Sequence, residues 1–197
     1  MSNLTSTAHP LHGTELPSPW IKRWSHLVPD AGTVLDVACG HGRHLRWFAE
    51  RDHPVVGVDR SQEAISSIAD LVSTGQAEAV VADLENAPWP FSTGPRGRTF
   101  DAVIVTNYLW RPLLPAIIAS VAPGGVLIYE TFTTGNETVG RPSRPDFLLQ
   151  PGELLRTCEG LRVVAFEDGF VAEPERFIQR IAAVRHRGAE LPARYPL

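Results

Sequence analysis

The chain has 197 residues, enough for one domain with a full core, and its 43% hydrophobic and 20% charged content is that of a soluble globular protein. A net charge of −4 argues against a nucleic-acid binder that relies on a basic surface. The two cysteines, Cys39 and Cys158, form no CxxC pair, which argues against a disulfide framework or a zinc site; there is no signal-like start and no apolar run of bilayer length, so a cytoplasmic protein without membrane contact is expected.

Residues 1–17 are polar, contain Pro10 and Pro17, and read as a flexible N-terminal arm ahead of a single domain over 18–197. Ser18-Pro19 is a helix start with Ser18 as N-cap, and Trp20, Trp24 and Leu27 follow at helical spacing. Strand Thr33–Val37 then leads through a glycine turn to a helix from about Arg43 to Arg51. Strand Pro54–Val58 ends at Asp59 and is followed by helix Gln62–Val72. Strand Glu78–Ala82 ends at Asp83, strand Asp101–Val105 ends near Asn107, and helix Leu113–Val121 comes next. After the turn Pro123-Gly124-Gly125, strand Gly125–Thr131 carries Glu130. Residues 132–150 hold two glycines and two prolines without periodicity; a loop this long inside a compact domain is often a lid or a binding loop. Helix Pro151–Cys158 and strands Arg162–Glu167 and Phe177–Arg187 close the chain.

Alternation of strands and helices indicates a parallel sheet covered on both faces. The last two strands are joined too briefly for a helical crossover, so that pair should be antiparallel. The expected fold is an α/β, Rossmann-like three-layer sandwich with a mostly parallel seven-stranded sheet whose last strand is antiparallel. Ligands of such sheets bind beyond the carboxyl ends of the strands. Asp36, Asp59, Asp83, Asn107 and Glu130 all lie at or just past strand ends, and together they define one cleft.

The turn itself, Val34-Leu-Asp36-Val-Ala-Cys-Gly40-His-Gly42-Arg-His44, brings backbone N–H groups and a helix start to a ligand. A nicotinamide-binding turn needs G-x-G-x-x-G, and Leu45 stands where its third glycine would be; the phosphate-loop pattern is absent. The remaining pattern, acid-x-x-x-Gly-x-Gly from Asp36 to Gly42, resembles the first motif of the class I S-adenosylmethionine-dependent methyltransferases. Val55–Ser61, Ala82-Asp83-Leu84, Phe100–Val105 and Pro123–Leu127 resemble the family's later motifs in the same order, covering about residues 33–131. The stretches 130–137, 141–149 and 151–154 look like a subgroup of small bacterial methyltransferases related to the tellurite-resistance type.

The resemblance implies S-adenosyl-L-methionine as cofactor, held by Asp36, Ala38, Gly40, His41, Gly42, Asp59, Arg60, Asp83, Leu84 and Asn107. Asp59 would take both ribose hydroxyls and Asp83 the adenine amino group. Ala38 stands where the family normally has glycine. The implied reaction is in-line methyl transfer to a small-molecule acceptor, with Glu130 and Tyr108 as candidate catalytic groups and Trp110, Tyr129, Arg141 and Arg144 as candidate substrate contacts. A thiolate or similar soft anion would need no base, whereas an amine or hydroxyl would have to lose a proton. The motif after strand four lacks the paired prolines of amino-directed DNA enzymes, so no nucleic-acid partner is expected. His41 and His44 have no third ligand at metal spacing, so no metal is expected. A non-catalytic sensor or scaffold that binds the same cofactor is the alternative, and an NAD-dependent dehydrogenase a third reading. The sequence leaves the oligomeric state open.

Overall fold

A computed structural model describes residues 15–92, 97–188 and 194–197; most of the proposed N-terminal arm, residues 1–14, lies outside them. The first helix, α1 (Pro19–Trp24), begins as expected: Ser18 Oγ accepts from the Trp20 N–H at 3.1 Å, satisfying one of the N–H groups that a helix start leaves unpaired. Among the described residues seven strands follow: β1 (Val34–Val37), β2 (Val55–Asp59), β3 (Ala77–Val81), β4 (Phe100–Thr106), β5 (Val121–Phe132), β6 (Arg162–Ala172) and β7 (Glu175–Val184). Their order in the sheet is β3-β2-β1-β4-β5-β7-β6. All are parallel except β7, which runs antiparallel between β5 and β6. The last two strands thus pair as an antiparallel hairpin, as their short connection requires, and β7 is antiparallel to β5 as well.

The remaining helices are α2 (Arg43–Ala49), α3 (Gln62–Ser66), α4 (Ala69–Ser73), α5 (Leu114–Ala119) and α6 (Glu153–Thr157). Strand alternation sorts the core into two layers. Val34, Val55, Ile104 and Ile128 face Trp20, Trp24, Phe48 and Ile68 of the α1–α4 side. Leu35, Val56, Val103 and Leu127 face Leu114, Ile117 and Leu154 of α5 and α6.

Two departures from the sequence expectation have clear causes. The single helix expected over 62–72 is broken into α3 and α4. Ser67 Oγ donates back to the Ala64 carbonyl at 2.6 Å, and the Ser67 carbonyl accepts from Arg46 at 2.8 Å, so the backbone groups at the break are bonded outside a continuous helix. The Pro123-Gly124-Gly125 turn lies inside the span of β5, where the register with β4 jumps from Phe100↔Val121 to Ala102↔Val126.

Residues 132–150 are fastened at several points. Thr133 bridges Leu149, the buried Gln179 amide donates to Thr133 Oγ1 and to the Gln150 carbonyl, and buried Asn136 donates to the Pro142 carbonyl. Arg111 forms a two-pronged ion pair with Glu153 and also donates to the carbonyls of Asp146 and Leu148. No described helix is long and apolar enough to cross a membrane.

Candidate active site

The strand order switches sides between the parallel neighbours β1 and β4, the place where an open α/β sheet leaves a crevice at its carboxyl edge. The turn after β1 is built from three left-handed residues: Ala38 (φ 54°), Gly40 (φ 52°) and Gly42 (φ 77°). The glycines serve different ends. A Cβ on Gly42 would collide with Ile68, whereas one on Gly40 would meet no atom within 4 Å, because Gly40 faces open space. Leu45, in place of a third glycine, is accommodated from the opposite side: a Cβ on Gly57 of β2 would lie 2.6 Å from Leu45.

Asp59, the last residue of β2, holds this turn. Its Oδ2 accepts from the Gly40 N–H at 2.9 Å and its Oδ1 from the Ser61 N–H at 2.9 Å, which leaves a lone pair on each oxygen for a ligand. Asp59 lines a cavity of about 150 Å³ with Ala38, Arg60, Asp83, Leu84, Glu85 and Tyr108. Asp83 accepts from the Asn86 side chain and from the backbone of Glu85 and Asn86, and those bonds, the Asn86 amide foremost, hold its carboxyl below the usual range. The Tyr108 hydroxyl is buried and, among the described residues, has no hydrogen-bond partner. Burial, then the carboxylates of Glu85 and Asp83, push its pKa up to about 12, so at neutral pH it is an O–H donor in a cavity rimmed by acids.

A second cavity, about 240 Å³, meets the first at Ala38 and lies over the glycine turn between Gly40, His41, Thr106 and Asn107. Asn107 has φ 53°, and its N–H donates to the Glu130 carbonyl at 2.9 Å, which fixes the chain as it leaves β4. A third cavity, about 390 Å³, shares Arg43 and Asn107 with the second and is lined also by Ser18, Lys22, Glu130 and Arg176. The three form one trench along the carboxyl edge of the strands. A larger concavity, about 1030 Å³, lies at the opposite end of β4 and β5 near Thr99 and Pro123 and holds none of the strand-end acids.

Most of the expected cofactor residues line the trench: Ala38, Gly40, His41, Asp59, Arg60, Asp83, Leu84 and Asn107. Gly42 underlies it as the N-cap of α2. Asp36 does not line it. Alternation along β1 turns Asp36 to the α1–α2 side, where it is buried 3.6 Å from His44 Nδ1.

The residues expected at the acceptor divide differently. Glu130 reaches the third cavity but is already engaged: Oε1 accepts from Ser18 Oγ at 2.9 Å, and Oε2 lies 3.3 Å from Arg180. Tyr129, its neighbour on the strand, points to the opposite face, is buried, and donates to the Tyr108 carbonyl at 2.7 Å. Tyr108 sits with Asp59 and Asp83, away from Glu130. Trp110 packs on the α5–α6 core. Arg141 and Arg144 are exposed on the 132–150 loop outside the trench, with Arg144 paired to Asp146. Sequence reasoning missed Lys22, Arg43 and Arg176. Only Arg43, beside the glycine turn, carried a local signal.

Residues 34–125 match the model of a family described as a methyltransferase domain. Over 107 residues the chain is 32% identical to a trans-aconitate 2-methyltransferase of Variovorax paradoxus (strain S110), covering 51% of this chain and 38% of the relative. Over 134 residues it is 30% identical to a tRNA U34 carboxymethyltransferase of Pseudoalteromonas translucida (strain TAC 125), covering 61% and 40%. The chain therefore spans well under two thirds of either relative's length. Among solved structures it shares its fold with TehB from Haemophilus influenzae (TM-score 0.66, 16% identity, 87% of this chain and 63% of that one). It shares it also with a SAM-dependent methyltransferase from Aquifex aeolicus (TM-score 0.60, 19% identity, 84% and 89%).

Proposed function

We propose that this chain, whose residues 34–125 match a methyltransferase domain and whose fold is shared with solved S-adenosylmethionine-dependent methyltransferases, is itself a class I enzyme that transfers a methyl group from S-adenosylmethionine to a small-molecule acceptor. The observation that carries this reading is the meeting of two cavities at Ala38, one rimmed by Asp59, Asp83 and the unpartnered Tyr108 hydroxyl, the other roofing the glycine turn.

The residues present fit the donor. The free lone pairs of Asp59 suit two vicinal hydroxyls, and charge-assisted bonds of this kind are strong. The buried Tyr108 O–H and the Asp83 carboxylate offer a donor and an acceptor to a heterocycle against Leu84. His41, Gly40 and Asn107 border the space for the amino-acid end. When bound, S-adenosylmethionine supplies a methyl group on a cationic sulfur, which leaves as a neutral thioether. The protein's own contribution is positioning: Asp59 ties the turn to β2, and Asn107 ties the end of β4 to β5, so both walls are held before any ligand arrives.

The size of the third cavity and the net negative charge of the chain support a small acceptor over a nucleic acid. The test is a screen with methyl-labelled cofactor against small carboxylates, amines, phenols and thiols, with bulk tRNA as a further arm. Label appearing in a small molecule and not in tRNA is the expected outcome. Label only in tRNA overturns the acceptor class, and no transfer to any arm despite cofactor binding would favour a binding module.

A further inference from the structure

Building on the methyltransferase reading, we infer that the cavity at Glu130 binds a small carboxylate and that a carboxylate oxygen of that molecule is the methyl acceptor. The cavity's charge is the first observation. Lys22, Arg43 and Arg176 line it, against one acid, Glu130. That acid is neutralised from outside the cavity by Arg180 and bonded by Ser18. Arg43 has a carboxylate neighbour in Glu15 at 3.3 Å, but the Glu15 side chain is 66% exposed, and pairs of that kind are weak. The Arg176 guanidinium makes no hydrogen bond or ion pair among the described residues, and its Nε is buried. A buried guanidinium N–H left unpaired is costly, and a guanidinium fork matches a carboxylate in both shape and charge.

The second observation is that, among the described residues, no unengaged base lines this cavity. An amine, alcohol or phenol acceptor must lose a proton to something beside it. Among the described residues Glu130 is the one carboxylate on this cavity, and both its oxygens are engaged. Tyr108 lies in the Asp59 cavity. His44, on the adjoining turn cavity, already accepts the Ser18 N–H at Nε2. A carboxylate is ionised at neutral pH and needs no base. Its oxygen forms the new bond to the methyl carbon, the carbon–sulfur bond breaks with its electron pair going to sulfur, and no proton moves. The products are a methyl ester and a neutral thioether. Because this cavity shares Arg43 and Asn107 with the turn cavity, an acceptor held by Arg176 lies next to the donor.

The test is calorimetry on the full chain saturated with S-adenosylhomocysteine, titrated with succinate, citrate and benzoate and with their uncharged amides. Carboxylates should bind at least tenfold more tightly than the amides. R176Q should weaken carboxylate binding tenfold or more, R176K should recover part of it, and S-adenosylhomocysteine affinity should be unchanged in both. Label transferred from the cofactor should be released by mild base, as expected of a methyl ester. Equal binding of acids and amides, unchanged carboxylate affinity in R176Q, or base-stable label on an amine or phenol overturns the inference while leaving the methyltransferase reading intact. Failure to bind S-adenosylhomocysteine at all overturns both.

Discussion

Ser18 and Glu130, 112 residues apart, are joined by a 2.9 Å hydrogen bond from the serine hydroxyl to Oε1. The same hydroxyl caps α1, and the Ser18 N–H donates to His44 Nε2 at 3.2 Å. One residue thus docks the first helix onto both the end of β5 and the start of α2, and it occupies the acid that the sequence offers as a base. Ser18→Ala removes a cap and one partner of a buried carboxylate. It should cost about 1–2 kcal/mol of stability by urea unfolding. A loss indistinguishable from zero would mean that the helix is held by Trp20 and Trp24 alone.

His44 extends the same network. With Nε2 accepting from Ser18, the ring proton sits on Nδ1, facing the buried Asp36 Oδ2 at 3.6 Å, an oxygen with no hydrogen bond among the described residues. His44→Leu leaves the buried Ser18 N–H without its acceptor. Unfolding experiments should show a loss of about 1–3 kcal/mol, the usual cost of leaving a buried donor unpaired. A loss indistinguishable from zero would show that the Ser18 N–H finds another acceptor.

The strand-end pattern made the trench legible from sequence because strand–turn–helix alternation and glycine spacing are local properties. Asp59, Asp83 and Asn107 lie on it for that reason. What sequence could not sort was the facing of neighbours on one strand. Glu130 and Tyr129 are adjacent and therefore point to opposite layers, and Asp36 is turned from the trench by the same alternation. Arg176 was invisible because it reaches the trench from the start of β7, through a hairpin whose register no short motif encodes. The break between α3 and α4 depends on Arg46 bonding the Ser67 carbonyl, a contact between separate helical segments.

Ala38 carries a Cβ at φ 54°, a region that L-residues other than glycine enter at a cost of about 1–2 kcal/mol. Ala38→Gly relieves that strain and gives up part of the gain to the more flexible unfolded chain. A net stabilisation of about 0.5–1 kcal/mol is expected by denaturant unfolding. Destabilisation would show that the methyl group's packing between the two cavities outweighs the backbone strain.

Glu153 links pH to the fastening of the 132–150 loop. Burial raises its pKa, but the Arg111 guanidinium and the Gln150 N–H outweigh that and hold it below the ordinary 4.5. A depressed folded-state pKa means stability that is fully present above the ordinary value and is lost as pH falls through the lowered one. The stability gap between the wild-type chain and Glu153→Gln, measured by urea unfolding, should therefore be constant from pH 7 to about 5 and shrink below about 4.5. A gap independent of pH down to 3 would contradict the ion pair.

Calorimetric titration with S-adenosylhomocysteine tests most directly whether the trench built around Asp59 holds the methyl donor. The wild-type chain should bind it and ignore NAD. Asp59→Ala should weaken binding about a hundredfold or more, the worth of two hydrogen bonds to a charged group. Binding of NAD without response to S-adenosylhomocysteine, or an Asp59→Ala variant that remains folded and binds as tightly as the wild type, would contradict it.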